Sequence, residues 1–392
     1  MRLTRKTIAV SVIVSLAVLL LNYIVGNTSI PLPNEMSILQ GWDKFVSVNG
    51  TVKDSIPDEI MLIDVAYDKE LVDYEEDGFY VGKEFITDRK KLFQFLSFVK
   101  EAGNYKYVML DVIFEEGYKT PYDSALFRLI AQMDRIVIAT HEDTRLQDSI
   151  LLSKAANADY TTTWKETNFS RFQYLHEDQA SIPLQMYREL EKKDIKKFGF
   201  LYFSNNWLCR NAITLKMPYR ITSDLSDEGE RKKFNVVRMG SDLLDSTSVT
   251  TLTDEIEGKI LVIGDFKHDM HETYAGIQPG SLINLNAYYA LKRGDHSLLG
   301  QYGGTLCFYL LIACLYFCMS ILYLSNFKIE KYVHKKWLRL ALSPVSIGMV
   351  FVMIALIAYK PFGIVYNIWL PVLVFSSMDF ISNLIFTQKE RL

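Results

Sequence analysis

The chain has 392 residues, of which 49% are hydrophobic and 23% charged, and its formal net charge is −3. Gly and Pro contents of 20 and 10 residues exclude a collagen-like chain, and 13% aromatic residues exclude a disordered one. Residues 26–303 hold 32 of the 43 Lys and Arg and 43 of the 46 Asp and Glu, a net charge of −11, whereas the remainder carries +8. Because phosphate binding requires clustered Lys and Arg, this acidic centre excludes nucleic acid as the expected partner and favours a lipid bilayer.

Four apolar runs are long enough to cross a bilayer, whose hydrocarbon core is roughly 30 Å thick, at about 1.5 Å per helical residue. They cover residues 8–25, 305–324, 338–359 and 362–386. The first follows Arg2, Arg5 and Lys6, and no small-x-small cleavage site comes after it, which favours an uncleaved signal anchor over a removed signal peptide. Lys and Arg are concentrated at 326–337, so the positive-inside rule predicts cytoplasmic termini and an external block at 26–303.

The predicted organisation is a signal anchor at 1–25, an extracytoplasmic domain at 26–303, a three-helix membrane region at 304–387 and a cytoplasmic tail at 388–392. This is typical of a multi-pass protein of the bacterial inner membrane with a periplasmic domain. Only Cys209 lies in the external block, so a disulfide within it is excluded and an apolar core must stabilise it.

Alternating apolar strands and amphipathic helices predict an α/β fold for the external domain. A strand at 59–65, a helix at 87–103 with Thr87 as its N-cap, and a strand at 107–113 form a βαβ unit, which requires a parallel sheet. Further helices are predicted at 120–133, 181–193 and 281–293, and further strands at 135–140, 198–203, 212–216 and 259–264. Residues 218–258 are charged and are interpreted as a long excursion. We therefore expect a doubly wound, mostly parallel sheet.

Polar residues stand at the ends of four predicted strands: Asp64, Asp111, His141 and Asp265. Ligands of doubly wound sheets bind beyond the carboxyl ends of the strands, so these side chains are expected to converge on one edge. Such an acidic edge suits a cation, or the ammonium or hydroxyl groups of a small ligand. The alternative is that the acids only cap the following loops and face water.

The turn at 264–280 is the densest polar cluster in the chain. Four ionisable residues fall within five positions: His268, Asp269, His271 and Glu272. A zinc site needs three or four ligands in tetrahedral reach, and this is not the HExxH pattern, so neither a metal nor a cofactor is predicted. We expect instead a loop held by hydrogen bonds between Asp265, Asp269 and Thr273.

No enzyme is predicted, because the sequence contains no GxxxxGK[ST], no GxGxxG after a strand and no GxSxG. One carboxylate, Asp379, lies inside an apolar run, with Asn383 one turn later and Ser15 and Ser346 at similar depth in other runs. Intramembrane carboxylates are costly and indicate function, so these four residues are expected to couple the external domain to helix packing. The alternative is a purely structural hydrogen bond between helices.

Three segments resemble the type-two CHASE domain, a cyclase- and histidine-kinase-associated sensory domain that bacteria place outside the membrane, after one span and before three. They are IMLIDVAYDKEL, RKKLFQFLSFVKEAGNYKYVMLDVIFEE and GKILVIGDFKHDMHETYAGIQPGSLINLNAYYAL. The resemblance covers roughly residues 30–360 and implies a sensory α/β domain with Arg89 and Asp123 at family positions. Ligand contacts are proposed by position alone, at Asp64, Arg89, Asp111, Asp265 and Thr273.

The resemblance usually implies a cytoplasmic effector, but the chain ends six residues after its last predicted span. We therefore expect a sensory protein whose periplasmic domain detects a small ligand or an envelope condition and signals through its membrane helices to a separate protein. The alternative is a non-enzymatic scaffold that docks envelope proteins, and a third hypothesis is a metal-dependent envelope hydrolase. A pocket lined by strand-end acids would favour sensing, and a flat apolar patch would favour docking. A homo-oligomer is left open.

Overall fold

The computed structural model describes residues 5–27, 56–141, 144–158, 168–169, 171–176, 179–245, 249–273, 275–298 and 304–324, with isolated positions at 353, 370, 371, 373 and 374. Apart from those positions, the expected spans at 338–359 and 362–386 and the tail at 388–392 lie outside the described residues. So do three of the expected coupling residues, Ser346, Asp379 and Asn383.

Two compact units divide the chain differently from the expected domains. The first, which we call the anchor unit, combines Met1–Asn34, Ile195–Thr214 and Arg293–Leu392. The second, the sheet unit, combines Glu35–Asp194 and Leu215–Lys292. A stretch of the expected external domain therefore belongs to the same unit as the apolar helices.

The described residues form helices α1 Arg5–Gly26, α2 Arg89–Ala102, α3 Asp123–Gln132, α4 Ile182–Leu190, α5 Glu228–Lys233, α6 Val249–Ile256, α7 Gly280–Arg293 and α8 Gly304–Leu324, with a 3-10 turn at Ser149–Leu151 and a π-helix at Met239–Leu244. They form strands β1 Ile60–Asp64, β2 Lys69–Glu76, β3 Phe79–Thr87, β4 Tyr107–Leu110, β5 Ile136–Thr140, β6 Ala155–Asn157, β7 Asn168–Phe169, β8 Arg171–Gln173, β9 Leu175–His176, β10 Gln179–Ala180, β11 Lys196–Phe198, β12 Leu201–Ser204, β13 Trp207–Cys209, β14 Ala212–Thr214, β15 Val236–Arg238, β16 Ile260–Gly264, β17 Met270–Thr273 and β18 Gly276–Pro279.

A six-stranded parallel sheet forms the centre of the sheet unit, in the order β15-β1-β16-β4-β5-β6. The last long strand, β16, lies between β1 and β4, so Ile63 pairs with Ile263 on one side and Leu110 pairs with Ile263 on the other. The prediction of a mixed α/β fold with a parallel sheet is confirmed. Every residue of β1, β4 and β16 is buried, as expected for strands covered on both faces.

Helices cover both faces of this sheet because neighbouring strand residues point to opposite sides. Side chains of α2, α3 and α6, including Phe95, Ile130 and Ile256, form a buried cluster with Ile63 and Leu110 on one face. On the other face the Tyr107 hydroxyl donates to Glu189 Oε2 in α4 at 2.8 Å. Burial of this apolar surface, worth about 25 cal/mol per Å², is the main source of stability for a unit without disulfides.

Helix α2 shows how local sequence sets an element's ends. The N-cap is Asp88, whose carboxylate accepts the Lys91 N–H at 2.9 Å, and not Thr87 as the sequence predicted. Gly103 follows the helix at φ 66°, a left-handed conformation that favours glycine. This short stop directs the chain into β4, so the βαβ unit forms as expected.

Three other regions differ from the sequence predictions. The strand expected at 198–203 is a hairpin of β11 and β12, because Gly199 turns the chain at φ 60°. The excursion at 218–258 contains β15, which pairs with β1 at the edge of the central sheet. The loop expected at 265–280 contains a second hairpin, β17 and β18, in which Thr273 pairs with Gly276.

The anchor unit contains the apolar helices α1 and α8. Among the described residues, Ile8–Gly26 is long and apolar enough to cross a membrane or to serve as a signal sequence, whereas the apolar part of α8, Tyr309–Ile321, is shorter. The two helices pack together, with the Asn22 amide donating to Tyr316 Oη at 3.0 Å and the Ser15 hydroxyl to the Ala313 carbonyl at 3.4 Å. One of the four expected spans is thereby supported as a candidate by length and composition.

Candidate functional site

A cavity of about 510 Å³ opens at the carboxyl edge of the central sheet. Its volume is within the range of small-molecule sites, about 300–1,000 Å³. The ionisable side chains that line it are Lys69, Asp111, His141, Asp265, His268, Asp269 and His271. All of these belong to the sheet unit, so one compact body forms the whole cleft.

Parallel strands bring this set together because their carboxyl ends meet at one edge. Asp111 follows β4, His141 follows β5 and Asp265 follows β16, and all three line the cleft. The cleft therefore forms where the sequence placed it, at the point where β16 is inserted between β1 and β4. The geometry brings the three strand ends together but does not by itself assign them a ligand.

Asp111 is the carboxylate at the base of the cleft. Among the described residues, none forms a hydrogen bond with its buried Oδ2 atom. Burial raises the pKa of Asp111 to about 6, the Asp269 carboxylate adds to the rise, and the Ser281 hydroxyl opposes it. An acceptor atom kept from water without a partner is costly, so a ligand that donates a hydrogen bond to it would be stabilised.

Asp265 is held at the mouth of the cleft by three donors. Lys69 Nζ lies 2.9 Å from its Oδ2, and the backbone N–H groups of Lys267 and His268 donate to Oδ1 at 3.0 and 2.8 Å. Burial acts to raise the pKa of Asp265, but these donors hold the pKa below its ordinary value. Asp265 is therefore ionised, and it fixes the start of the loop after β16.

Two histidines of the loop are also oriented by carboxylates. His268 Nδ1 lies 3.1 Å from Asp265 Oδ2, and His271 Nε2 lies 2.8 Å from Asp269 Oδ1. The remaining histidine of the cleft, His141, directly follows β5 and lines the cleft. An imidazole ring has one nitrogen that donates and one that accepts, so the cleft combines hydrogen-bond donors and acceptors.

Asp64 and Arg89 do not line the cleft. Asp64 is buried, and its Oδ1 accepts the N–H groups of Ala66 at 2.9 Å and Phe266 at 3.2 Å. Burial raises the pKa of Asp64, and those two hydrogen bonds oppose the rise. It therefore fixes the loops after β1 and β16, as the alternative for strand-end acids expected, but it is buried and does not face water.

Arg89 is buried beside the Phe114 ring, with its Cζ 4.3 Å from the ring centroid. Its Nε lies 3.9 Å from Asp123 Oδ1, and its Nη2 donates to the Ile113 carbonyl at 3.4 Å. Burial lowers the pKa of Arg89 to about 10, against the raising effect of Asp123, so the guanidinium stays charged at neutral pH. Arg89 and Asp123, the two residues at positions of the CHASE resemblance, thus form an ion pair in the interior of the sheet unit.

The hydrogen bonds expected between Asp265, Asp269 and Thr273 are replaced by bonds to near neighbours. The Thr273 hydroxyl donates to the Gly276 carbonyl at 2.6 Å and accepts the Ala275 N–H at 3.1 Å, so it stabilises the β17–β18 turn. This expectation was wrong because the segment folds as a hairpin. Within the described part of the chain, no cluster of three or more His, Cys, Asp or Glu is arranged to hold a metal.

Sequence reasoning missed Lys69 and the pair Gly264 and Ser281. Lys69 begins a hairpin that was not predicted, although Asp77-Gly78, at φ 50° and 82°, is a strong turn signal. A Cβ on Gly264 would lie 1.9 Å from the Ser281 Oγ atom, so glycine lets α7 approach the sheet beside Asp111. Glycine at the end of an apolar strand was the only signal for this close approach.

Comparison of the chain with protein-family models, curated proteins and solved structures gives no significant match. What the cleft can do follows from its own chemistry. It offers a buried acceptor at Asp111, a fixed ion pair between Lys69 and Asp265, and imidazoles that donate or accept. This set suits a small polar ligand that carries at least one hydrogen-bond donor.

Proposed function

We propose that the chain is a sensory protein of the bacterial inner membrane whose periplasmic sheet unit binds a small polar ligand in this cleft. The observation that carries the proposal is the buried Oδ2 atom of Asp111, without a hydrogen-bond partner among the described residues, at the base of a 510 Å³ cavity. A ligand with an ammonium or hydroxyl group there replaces the missing hydrogen bond. The resemblance to type-two CHASE domains supports a sensory role.

The proposed topology has four spans, with α1 as an uncleaved anchor, α8 as the second span, and both termini in the cytoplasm. The apolar helix Ile8–Gly26 and its contact with α8 support the first pair. Residues 338–359 and 362–386 supply the other two by composition. The signal passes through these helices to a separate effector protein.

Helix α7 connects the cleft to the membrane helices along the chain. It begins beside the cleft, where Ser281 packs against Gly264 next to Asp111, and ends where Tyr289 Oη donates to Glu59 Oε1 at 2.6 Å, next to the amino end of β1. It therefore extends from the carboxyl ends of the strands to their amino ends, and its residues from Gly280 to Leu291 are all buried. If α7 has two alternative positions, a ligand changes the ratio of their populations tenfold when it binds one of them about 1.4 kcal/mol more tightly than the other.

The binding test uses the full chain in lipid nanodiscs and a panel of small amines, amino alcohols and amino acids, with their carboxylic acid counterparts as matched compounds. We expect at least one donor-bearing compound to bind, and Asp111→Asn to weaken binding at least tenfold. Asp58→Asn, which removes an exposed carboxylate of the same unit, is the control and is expected to bind normally. Equal affinity in all three proteins would overturn the role of Asp111 in the cleft.

A second candidate function, protein docking, is favoured by the hairpin of β2 and β3. Its large exposed apolar residues are Leu71, Phe79, Tyr80, Val81 and Phe85. Leu71 pairs directly with Phe85 across the hairpin, so the two form one apolar surface. Placing a photo-crosslinking residue at 85 tests docking. A discrete adduct in native membranes that is lost with Leu71→Asp supports it, and the absence of any adduct contradicts it.

A further inference from the structure

A three-stranded antiparallel meander in the anchor unit, β11 to β13 at residues 196–209, carries exposed aromatic side chains. Phe198, Phe200 and Trp207 are 78%, 53% and 63% exposed. They flank the two turns of the meander, at Gly199-Phe200 and Asn205-Asn206. Aromatic residues are rarely left in water in such density, whereas they are enriched where a protein meets the membrane surface.

The meander is fixed to the end of α1 by hydrogen bonds between side chains at the helix end and backbone groups of residues 202–212. The Tyr23 hydroxyl donates to the Cys209 carbonyl at 2.6 Å and accepts the Tyr202 N–H at 3.1 Å. Asn27, directly after the helix, accepts the Ala212 N–H at 3.3 Å through its side-chain oxygen. The meander therefore lies at the point where α1, the candidate span, ends.

The two faces of the meander differ. Tyr202 and Cys209 pair with each other and are buried, whereas Phe198 pairs with Leu201, and Phe203 with Leu208, on the opposite face. On that opposite face Phe198 is exposed, and Leu201, Phe203 and Leu208 are half-buried. The face of Tyr202 and Cys209 thus supports the helix end and also carries the exposed Trp207, which pairs with Ser204 beside the second turn, whereas the other face presents apolar side chains outward.

The charge of this segment is opposite to that of the block around it. Residues 195–214 contain Lys196, Lys197 and Arg210 and no Asp or Glu, although residues 26–303 as a whole carry −11. Lys196 and Lys197 are exposed beside Phe198. Anionic phospholipid headgroups attract exposed cations such as these two lysines by about 1 kcal/mol each, whereas Arg210 is buried and donates to the Asp295 carbonyl.

From the continuity with α1, the aromatic exposure and the local positive charge, we infer that the meander lies in the headgroup region of the outer leaflet and binds anionic lipid. The inference rests on the α1 span proposed above. It adds a second membrane contact, made by a β-meander, to the contact made by the apolar helices.

The test measures tryptophan depth in nanodiscs made of phosphatidylcholine and phosphatidylglycerol. A full-length variant with Trp42, Trp164, Trp337 and Trp369 changed to Phe retains Trp207 alone. Lipids brominated near the glycerol end of their acyl chains are expected to quench Trp207 at least twofold, and soluble acrylamide is expected to quench it weakly. Lys196→Gln with Lys197→Gln is expected to reduce the lipid quenching, and only in membranes that contain phosphatidylglycerol.

Two matched proteins make the outcome decisive. In the background without native tryptophan, Leu16→Trp places a reporter on the exposed side of α1, and Phe79→Trp places one on the acidic β2–β3 hairpin. Quenching at 16 and 207 but not at 79 supports the inference, and quenching at 16 alone overturns it. A Trp207 shielded from both quenchers indicates a protein partner and also overturns it. If the reporter at 16 is not quenched, the result contradicts both the proposed α1 span and the proposed membrane contact of the meander.

Discussion

Lys69 Nζ lies 2.9 Å from Asp265 Oδ2, and this ion pair joins the start of β2 to the loop after β16 at the mouth of the cleft. Both side chains are less than a third exposed, at 27% and 14%, so the pair is only partly screened by water. It connects two segments about 200 residues apart in sequence. The loop that carries His268 and Asp269 therefore has a fixed starting point.

Removing the Asp265 carboxylate is expected to destabilise the fold in a pH-dependent way. Because the pKa of Asp265 is lowered in the folded protein, its stabilisation is present above the unfolded pKa, about 3.9, and is lost as pH falls through the lower folded value. Asp265→Asn should cost about 1–2 kcal/mol at pH 7 and less than that at pH 3. Melting temperatures of the full chain in detergent at both pH values measure this.

Asp73→Asn is the control, because the Asp73 pair with Lys83 is 3.7 Å long and its side chains are 64% and 57% exposed. Exposed pairs contribute little, so its melting temperature should match that of the unmodified chain. Equal decreases in melting temperature for Asp265→Asn and Asp73→Asn would contradict the stabilising role assigned to the Asp265 carboxylate.

Asp111 should show the opposite pH dependence. Its pKa is raised to about 6, so the folded state binds a proton more tightly than the unfolded state, and stability falls as pH rises from about 4 to 7. Asp111→Asn should therefore raise the stability at pH 7.5 by about 1–2 kcal/mol and flatten this part of the profile. Thermal unfolding between pH 4 and 8 measures the difference. A variant with an unchanged slope would show that Asp111 is not buried in its charged form.

The close contact between Gly264 and α7 predicts that a second substitution, at Ser281, restores the stability lost when Gly264 is replaced. Gly264→Ala places a Cβ 1.9 Å from Ser281 Oγ and 3.1 Å from Ser281 Cβ, so the Ser281 side chain must change its rotamer and its backbone must shift slightly, at a cost of about 1–3 kcal/mol. Ser281→Gly removes both atoms, and the double variant should recover most of the loss. Melting temperatures of the two single variants and the double variant form the cycle. Additive losses would contradict the close approach.

The buried pair of Arg89 and Asp123 should be asymmetric in its mutational cost. Asp123→Asn removes the larger of the two carboxylate charges that act on the buried Arg89 guanidinium, the other being Glu70, and should destabilise the fold by about 3–5 kcal/mol. Arg89→Met combined with Asp123→Asn removes both charges and should cost much less. Urea-dependent loss of near-ultraviolet circular dichroism compares the two proteins, and a double variant that is the less stable of the two contradicts this prediction.

The central sheet was predictable because β1, β4, β5 and β16 are continuous apolar runs with turn signals on both sides. The edge strands β6 and β15 were not, because each has only three residues, too few to show a periodic pattern, and β15 lies within a charged segment. Their pairing with β5 and β1 supplies the strand character that the sequence lacks.

For the cleft, sequence reasoning placed Asp64, Asp111, His141 and Asp265 at one edge, since parallel strands align their carboxyl ends, and all of these except Asp64 line the cleft, together with His268 and Asp269 of the following turn. It also proposed Thr273 and Arg89, which the structure places in a turn and in the interior. The β2–β3 hairpin was overlooked despite its Asp77-Gly78 turn signal, and with it the role of Lys69. The contact of Lys69 with Asp265 is tertiary and leaves no local signal in the sequence.

The most direct test of the sensory cleft is hydrogen exchange of the full chain in nanodiscs, with and without a compound that binds in the amine panel. The proposal predicts slower exchange at 111–114 and 264–273, on both sides of the cleft, and no such change in Asp111→Asn. Protection confined to other segments, or protection of the cleft that persists in Asp111→Asn, would contradict it.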